Sequence, residues 1–345
     1  MRSDISYKKI IFVVSSFMFF MAVITAMGFG YYIITPVKKE APGEIFIIRG
    51  GMTLNEVANR LEERKLITCG PVFKAWARLM GHGRNIKAGE YRLSASMTPL
   101  QIIDILTRGV IVVHSVTIPE GFTAKQIGTF LGKKGIVAPH EFISLALNSE
   151  LPKQYGISAP TLEGYLYPDT YHFGHEIPAI SVIDVMVRRF LEVINPFKKR
   201  IEELGMTIEE VVTLASMIEK ETARADERAV IASVFLNRLK KGIRLASDPT
   251  VIYGIKDFNG NLTRKDLGRP TPYNTYVIQG LPPGPIANPG LDSIRAVLYP
   301  AHTDYLYFVS KNDGSHFFSK TYKEHKKAVR IYQQKRRKSV IKNGG

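Results

Sequence analysis

An uncharged stretch near the N-terminus, residues 10–34, most constrains how this chain can fold. As a helix it would be roughly 37 Å long, enough to cross the ~30 Å hydrocarbon core of a bilayer. Basic residues precede it, and Tyr31 and Tyr32 stand where an interfacial aromatic belt belongs. A cleavable signal peptide has a shorter apolar region, so the pattern favours an uncleaved anchor. We predict a cytoplasmic N-terminus over 1–9, a transmembrane helix over 10–34 and an extracytoplasmic remainder.

The net charge of +16 predicts an anionic partner, for which nucleic acid, anionic lipid and a carboxylate-bearing wall polymer all qualify. A nucleic-acid partner is not expected, because the basic residues are dispersed, no recognised binding motif is present and the anchor places the chain outside the cytoplasm. The single cysteine, Cys69, excludes an intramolecular disulfide and a thiolate metal cluster. No metal site is expected either, since His172 and His175 have no cluster of carboxylates or cysteines beside them in the sequence.

One pattern occurs twice after a charged, proline-containing linker over 36–43. Residues 48–61 and 118–131 each contain a short strand, a glycine turn and an amphipathic helix. Each helix begins after a threonine, Thr53 or Thr123, with Glu or Gln three residues later, which is the capping-box signature. The repeat predicts two small α+β lobes, over 44–110 and 115–185.

The rest of the chain alternates between helical and strand patterns. Predicted helices cover 98–107, 180–204, a stretch opened by the capping box of Thr207 and Glu210, 226–239 and about 321–335, and predicted strands cover 89–93, 305–309 and 316–319. Pro196 should break the helix over 180–204. Residues 161–173 are too rich in Tyr, Gly and Pro for a helix. A basic tail over 331–345 completes the chain, and the overall pattern predicts an α+β fold.

The helix after Thr207 carries the leading candidate for catalysis, Glu219, at the margin of its apolar face. Glu221 lies roughly 200° further around the helix, so the two acids cannot act as a catalytic pair. One of them can be partly buried while the other points to water. Burial raises a carboxyl pKa toward the range of a general acid. Helix position alone also fits a solvated salt bridge at Glu219.

Polar residues of three later segments are candidates for substrate contacts. Asp248 precedes a proline, which predicts an extended backbone and a stiff turn that presents the carboxylate, although the same residues suit an ordinary turn. The aromatic and amide groups of 273–276 could stack on sugar rings and bind N-acetyl groups, or merely pack a loop. His316 could contact a ligand in a cleft or be a strand residue. A second catalytic acid, if one is needed, would be Asp248 or Glu163.

Several motifs in a common order carry a resemblance to a known family. They are Leu214-Ala-Ser-Met-Ile-Glu-Lys-Glu-Thr222, Val234-Phe-Leu-Asn-Arg-Leu239, Ser247-Asp-Pro-Thr-Val-Ile-Tyr-Gly254, Tyr273-Asn-Thr-Tyr276, Gly280-Leu-Pro-Pro-Gly-Pro-Ile286, Asn288-Pro-Gly290, Tyr305-Leu-Tyr-Phe-Val309 and Gly314-Ser-His-Phe-Phe318. With these motifs, the chain resembles the endolytic murein transglycosylase family, also called YceG-like, over residues 40–330 and in its N-terminal anchor.

The resemblance implies a single-pass protein of the bacterial cytoplasmic membrane with a LysM-like α+β lobe over 44–110. A mixed α+β catalytic domain over 113–330 follows, with catalytic helices and loops over 205–330. The implied activity is cleavage of MurNAc–GlcNAc bonds within peptidoglycan strands, with 1,6-anhydro-MurNAc ends as products and a role in wall remodelling or strand termination. Glu219 corresponds to the family's catalytic glutamate in this comparison. The candidate substrate-binding residues are Glu163, Tyr165, Ser247, Asp248, Tyr273, Asn274, Tyr276 and His316.

One acid suffices for this chemistry, because the C6 hydroxyl of MurNAc replaces both water and a second carboxylate. No cofactor is therefore expected. The expected partners are glycan strands, the membrane and, as candidates, peptidoglycan synthases. Two alternatives stay open: a lysozyme-like hydrolase that uses water and a second acid such as Asp248, and a non-catalytic peptidoglycan-binding scaffold.

Overall fold

The computed structural model describes residues 2–334. Within them, the chain forms two compact units: an N-terminal unit of residues 2–114 and 174–176, and a C-terminal unit of residues 115–173 and 177–334. Both units mix helices with short two-stranded sheets, so the predicted α+β class is confirmed.

The first helix of the N-terminal unit, α1 (Arg2–Ile34), contains the predicted membrane segment. The mean hydropathy of Lys9–Ile34 reaches 2.5, and the segment is exposed except at Phe29, Tyr32 and Ile33, which are partly buried against the core of the N-terminal unit. Such a helix is long and apolar enough to cross a membrane, a property that an anchor and a signal sequence share. Near its end, the Tyr32 hydroxyl donates a 2.7 Å hydrogen bond to the Cys69 carbonyl oxygen.

The remaining N-terminal unit is a strand–helix–helix–strand arrangement followed by one more helix. Its elements are β1 (Glu44–Ile48), α2 (Leu54–Glu63), α3 (Gly70–Leu79), β2 (Gly89–Leu93) and α4 (Pro99–Arg108). The strands pair antiparallel, with Phe46 opposite Tyr91. Both aromatic side chains are buried in a core that also contains Leu61 and Phe73. The two helices thus cover one face of a small sheet.

The C-terminal unit begins with a second strand and helix, as the repeat predicts, and a further helix follows them. Its first elements are β3 (His114–Thr117), α5 (Ala124–Lys133), α6 (Pro139–Ala146), α7 (Leu151–Gln154) and β4 (Thr170–Phe173). The first residue of β3, His114, belongs to the N-terminal unit. Strand β3 pairs with β4. Thr53 and Thr123 each form the predicted capping box at the start of α2 and α5, so this local prediction is confirmed in both copies.

A group of helices follows. It comprises α8 (Ala179–Ile194), a 3₁₀ turn (Asn195–Phe197), α9 (Lys198–Glu203), α10 (Ile208–Glu221) and α11 (Ala225–Lys240). Pro196 lies in the 3₁₀ turn, where the predicted helix breaks. The capping box of Thr207 and Glu210 opens α10 as predicted. Residues 211–218 of α10 are buried on every side. The helix is therefore a core helix and not a surface helix with one solvent-exposed face.

The last part of the unit is rich in turns and holds short elements. They are α12 (Asp248–Tyr253), α13 (Arg264–Leu267), α14 (Leu291–Leu298), β5 (Tyr307–Ser310), β6 (His316–Ser319), α15 (Tyr322–Val329) and a π-helical segment (Arg330–Gln334). Strands β5 and β6 pair antiparallel. Asp248 starts a helix instead of the predicted turn. Of the predicted basic tail over 331–345, the part beyond residue 334 lies outside the described residues.

Candidate active site

A cavity of about 480 Å³ lies in the C-terminal unit between α10, α11, α12, the β5–β6 hairpin and α15. Polar side chains that line it include Glu221, Arg238, Asp248, Tyr276 and His316. Three of these, Asp248, Tyr276 and His316, belong to the predicted set of substrate-binding residues. The cavity thus brings together residues that are far apart in the sequence.

Glu221 is the last residue of α10, and it contributes a carboxylate to the cavity wall. The Ser247 hydroxyl donates a 2.5 Å hydrogen bond to its Oε1. Burial raises the pKa of Glu221 to about 7, and the Asp248 charge adds to this, while the Ser247 hydrogen bond and the Arg238 charge oppose it. A carboxyl group with this pKa can give and take a proton near neutral pH.

The start of α12 supports this carboxylate. Ala246 has a left-handed backbone with φ of 45°, a conformation that costs a non-glycine residue about 1 kcal/mol. The Ser247 amide donates to the Thr275 hydroxyl at 2.9 Å, and the Thr250 and Thr275 hydroxyls are 2.8 Å apart. These buried contacts hold Ser247 in position to reach Glu221.

Asp248 and Tyr276 form a second polar contact in the cavity wall. The Tyr276 hydroxyl donates a 2.6 Å hydrogen bond to Oδ1 of Asp248. Burial raises the pKa of Tyr276, and the bonded and neighbouring carboxylates raise it further, so the hydroxyl remains a donor at neutral pH. The pair adds a second carboxylate to the cavity in addition to Glu221.

Arg238 from α11 is the buried cation of the cavity. It donates to the carbonyl oxygens of Leu306 at 2.6 Å and Leu245 at 2.5 Å, and it lies 5.4 Å from the centre of the Tyr307 ring. Burial lowers the pKa of Arg238, and electrostatic interactions with Tyr307, Tyr276 and Glu221 partly offset this effect. Because backbone carbonyls accept from two of its nitrogens, Arg238 braces the chain around the cavity, and it supplies positive charge near Glu221.

His316 is held by an acid that the sequence analysis did not single out. Its backbone amide donates to Oε1 of Glu227 at 2.9 Å, and its Nδ1 lies 2.6 Å from Oε2 of the same carboxylate. Both side chains are about nine-tenths buried. If Nδ1 carries the proton, the contact leaves Nε2 as an acceptor. Glu227 therefore holds His316 in position through both its backbone amide and its ring.

Glu219, the predicted catalytic residue, has a different environment. Its Oε2 accepts hydrogen bonds from the Gly290 amide at 3.1 Å and the Ser293 hydroxyl at 2.7 Å, at the N-terminus of α14. Its Oε1 forms a 3.4 Å ion pair with Arg228. The side chain is only 7% exposed and does not line the cavity described above. The carboxylate is thus tied to the protein as a helix cap.

The expectation that one of the two acids points to water is wrong. Since α10 is buried on every side, Glu219 and Glu221 leave it toward two different protein environments. A sequence signal for this was present: residues 211–218 carry no charge over two helical turns. That run is typical of a core helix and makes the position of Glu221 as significant as that of Glu219.

Three of the predicted substrate-binding side chains are buried away from solvent and cannot contact a glycan in this conformation. Glu163 accepts hydrogen bonds from the Ala124 amide and the Asn288 side chain, and burial raises its pKa to about 7. Tyr165 packs edge-on against Phe190. Asn274 donates its side-chain amide to backbone carbonyls at the end of α13 and to that of Arg269. For each of them, the side chain stabilises the fold.

The two other predicted residues contribute in different ways. Tyr273 is half-buried and packs 4.8 Å from the ring of Tyr253, so it supports the loop rather than lining the cavity. Ser247 is buried beneath the cavity wall and acts through its hydrogen bond to Glu221. Sequence reasoning named Glu221 only as an acid that cannot pair with Glu219, and it did not single out Glu227 or Arg238, because the roles of these residues depend on contacts between distant segments.

The chain is similar to several known proteins. The model of the YceG-like family matches residues 46–331. An endolytic murein transglycosylase of Bacillus subtilis (strain 168) is 34% identical over 326 residues, covering 89% of this chain and 90% of that relative. An endolytic murein transglycosylase of Streptococcus pneumoniae serotype 2 is 30% identical over 354 residues, covering 92% of this chain and 64% of that longer relative.

A solved structure is similar as well. The crystal structure of a YceG-like protein from Listeria monocytogenes superimposes with a TM-score of 0.58 at 35% identity. The match covers 84% of this chain and all of that chain. The similarity therefore extends to the fold as well as to the sequence.

Proposed function

The chain belongs to the YceG-like family, and on this premise we propose that it is a lytic transglycosylase of peptidoglycan. It cuts the MurNAc–GlcNAc bond within glycan strands and leaves a 1,6-anhydro-MurNAc end. The observation that carries the proposal is the carboxyl group of Glu221, which lines a polar cavity and has a pKa raised to about 7. Such a group is protonated often enough at neutral pH to act as a general acid.

In the proposed reaction, protonated Glu221 gives its proton to the glycosidic oxygen, which leaves as the O4 hydroxyl of GlcNAc. The bond from C1 of MurNAc to that oxygen breaks. The C6 hydroxyl of the same MurNAc attacks C1, and the Glu221 carboxylate takes its proton. No water enters, and Glu221 ends protonated, as it began. Proximity of the C6 hydroxyl supplies much of the rate, since attack within one sugar avoids the entropy loss of a second reactant.

We assign the acid–base role to Glu221 in preference to Glu219, the residue indicated by the sequence. The oxygens of Glu219 already bind Arg228 and the N-terminus of α14. A proton transfer there would have to break contacts that stabilise the fold. Glu221 instead has one hydrogen bond from Ser247 and borders the cavity. The role of Glu219 remains a prediction, and the experiment below separates the two acids.

The polar groups around Glu221 suit a sugar with N-acetyl and hydroxyl substituents. Asp248, Tyr276 and His316 line the same cavity and offer acceptors and a donor. Positive charge from Arg238 favours the anionic state that Glu221 reaches after it has given up its proton. We therefore propose that these side chains bind and orient the MurNAc and GlcNAc units on either side of the cleaved bond.

The anchor and the N-terminal unit complete the proposal. In it, α1 remains attached and holds the enzyme on the extracytoplasmic face of the cytoplasmic membrane, as its unburied apolar surface supports. The strand–helix–helix–strand arrangement of the N-terminal unit supports the predicted LysM-like role in glycan binding. Peptidoglycan synthases are candidate partners, because cleavage at the membrane surface would set the length of a new strand.

The test compares two variants of the full chain in detergent, acting on purified sacculi. Glu221→Gln should reduce release of anhydro-MurNAc products by roughly 10²- to 10⁴-fold, the usual contribution of a general acid. Glu219→Gln is the matched control two residues away, and it should keep the activity per folded molecule. The folded fraction of each variant is measured by circular dichroism. Full activity of Glu221→Gln together with loss in folded Glu219→Gln would return the role to Glu219.

Mass spectrometry of the products tests the two alternatives. Asp248 lies in the same cavity as Glu221, which is the arrangement that a hydrolase with two acids would need. Hydrolysis would add the mass of one water relative to the anhydro end. A wall-binding scaffold would sediment with sacculi and yield no products. Its Glu221→Gln variant would bind sacculi as well as the wild type does.

A further inference from the structure

Three side chains that commonly bind metal ions meet in the N-terminal unit, at a place that the proposed reaction does not use. They are Glu90 on β2, His114 at the start of β3 and His175, which follows β4. One potential ligand atom from each residue lies within 4.8 Å of those of the other two. Sequence analysis predicted no metal site at His175, because the three members of this group are separated by long stretches of chain.

The contacts within the group are close. Nε2 of His114 lies 3.0 Å from Oε2 of Glu90. The rings of His114 and His175 are 4.3 Å apart at an angle of 76°, in an edge-to-face contact. The Val112 amide donates to the Glu90 carbonyl oxygen at 2.6 Å, so the segment that carries His114 runs beside β2. The backbone therefore fixes two of the three residues next to each other.

The exposure of these side chains suits an ion that enters from solvent. The Glu90 side chain is 13% exposed, which limits the positions that its carboxylate can take. The His114 side chain is 45% exposed and leaves one side of the group open to water. The group thus has a largely buried anionic ligand and an accessible imidazole.

We propose that Glu90, His114 and His175 bind a divalent transition metal ion of the Zn²⁺ class, with water in the fourth position. Two imidazoles and one carboxylate are an established ligand set for zinc sites with an open position. Tetrahedral zinc with bonds of 2.0–2.1 Å places its ligand atoms roughly 3.3 Å apart. The ligand atoms of Glu90 and His114 are already near this separation, and rotation of the side chains would bring the remaining ligand atoms to it.

The ligand chemistry also selects the class of ion. Imidazole nitrogens favour Zn²⁺, Cu²⁺ and Ni²⁺, whereas Ca²⁺ and Mg²⁺ prefer a shell of oxygen atoms. On binding, each imidazole must be neutral and present a lone pair to the metal, so any proton at the ligating nitrogens leaves. The ion would connect three separate stretches of chain and stabilise the folded N-terminal unit, because the unfolded chain has no such site.

The test uses the full chain in detergent, purified without a histidine tag. Competition against a chromogenic zinc chelator should give one bound Zn²⁺ per chain. His114→Ala, His175→Ala and Glu90→Gln should each weaken binding at least about tenfold. His172→Ala is the matched control, because His172 is an exposed residue on β4 only three positions from His175 and lies outside the group. It should bind like the wild type.

A second measurement guards against variants that unfold. Zn²⁺ should raise the temperature of unfolding of the wild type and of His172→Ala, and it should leave folded Glu90→Gln and His114→Ala unchanged. Mg²⁺ at the same concentration should have no effect on any of them. Zinc binding that survives in the folded His114→Ala and His175→Ala variants, or no zinc binding by the wild type, would overturn the proposal.

Discussion

Glu219 and Glu221 leave the same helix, α10, on opposite sides and meet different partners. Glu219 caps the N-terminus of α14 through Gly290 and Ser293, whereas Glu221 receives the Ser247 hydroxyl at the wall of the cavity. Two residues correspond to roughly 200° of helical rotation, so neither acid can take the place of the other. One carboxylate stabilises the packing of the fold, and the other is available for chemistry.

The pH dependence of activity should report on Glu221. Its protonated form is the active one, so kcat/KM should fall as the pH rises through about 7. Ser247→Ala removes a hydrogen bond that lowers the pKa, and it should move this fall to higher pH. Asp248→Asn removes a charge that raises the pKa, and it should move the fall to lower pH. Turnover of a soluble glycan-strand substrate measures the profile.

Two exposed residues of the same unit provide controls for these variants. Ser144→Ala and Asp257→Asn make the same chemical changes away from the cavity. Their pH profiles should match that of the wild type. Shifts of the same sign in Ser247→Ala and Asp248→Asn would contradict the assignment of the profile to Glu221.

The pH dependence of stability should report on Glu163. Burial raises its pKa to about 7 in the folded state, so the folded protein binds more protons than the unfolded chain at intermediate pH. Stability from this group is therefore present at low pH and is lost as the pH rises from about 4.5 to about 7. Glu163→Gln removes this loss. The free energy of unfolding of the variant should therefore increase relative to that of the wild type by up to about 3 kcal/mol over that interval.

Urea unfolding followed by circular dichroism at several pH values measures this difference. Glu141→Gln, an exposed acid on α6, is the control and should follow the wild-type curve. The free energy of unfolding of the wild type is subtracted from that of Glu163→Gln at each pH. The prediction concerns the change of this difference with pH, which a constant effect of the lost contacts does not alter. Parallel curves for these two proteins would contradict the prediction.

Removal of Glu219 should destabilise the C-terminal unit. Glu219→Gln weakens the cap of α14 and leaves Arg228, which is about nine-tenths buried, with only more distant and exposed acids. We expect a loss of about 1–3 kcal/mol in the free energy of unfolding. If the two side chains interact as described, the double variant with Arg228→Gln should lose less than the two single variants together. Simple additivity in urea unfolding would contradict the ion pair.

A side chain at Gly164 should destabilise the fold. Its φ is +90°, and an added Cβ would overlap the ring of Pro285 and press on Val212. Gly164→Ala therefore combines backbone strain with overpacking of about 1–3 kcal/mol. Gly156→Ala is the control, because Gly156 also has a positive φ but has open space around it. Its cost should be limited to about 1–2 kcal/mol of strain. Equal urea midpoints for the two variants would refute the overlap.

The features that could be predicted from the sequence depend on neighbours a few residues apart. The capping boxes at Thr53, Thr123 and Thr207 each join residues three positions apart, and all three are present. Pro196 breaks its helix because it lacks an amide hydrogen, a property that needs no tertiary contact. Strand β6 has the predicted bounds, 316–319.

The features that could not be predicted depend on which segments come together. The turn expected at Asp248 is the first turn of a helix, held by buried contacts among Ser247, Thr250 and Thr275. Glu163 and Asn274 have polar side chains that suggest a binding surface, but both satisfy buried backbone groups. Polarity marks a residue that needs partners, and the packed structure decides whether those partners are protein or ligand.

Sequence patterns were enough to predict the long apolar helix near the N-terminus, the repeated strand–turn–helix pattern, the helix that carries the two acids and the resemblance to a family. These depend on composition and on short-range spacing. The packed fold was needed to show that Glu221 borders the cavity while Glu219 caps α14, and that Glu90, His114 and His175 meet. Burial, hydrogen bonding and pKa depend on residues that are distant in the chain, and a local pattern does not contain them.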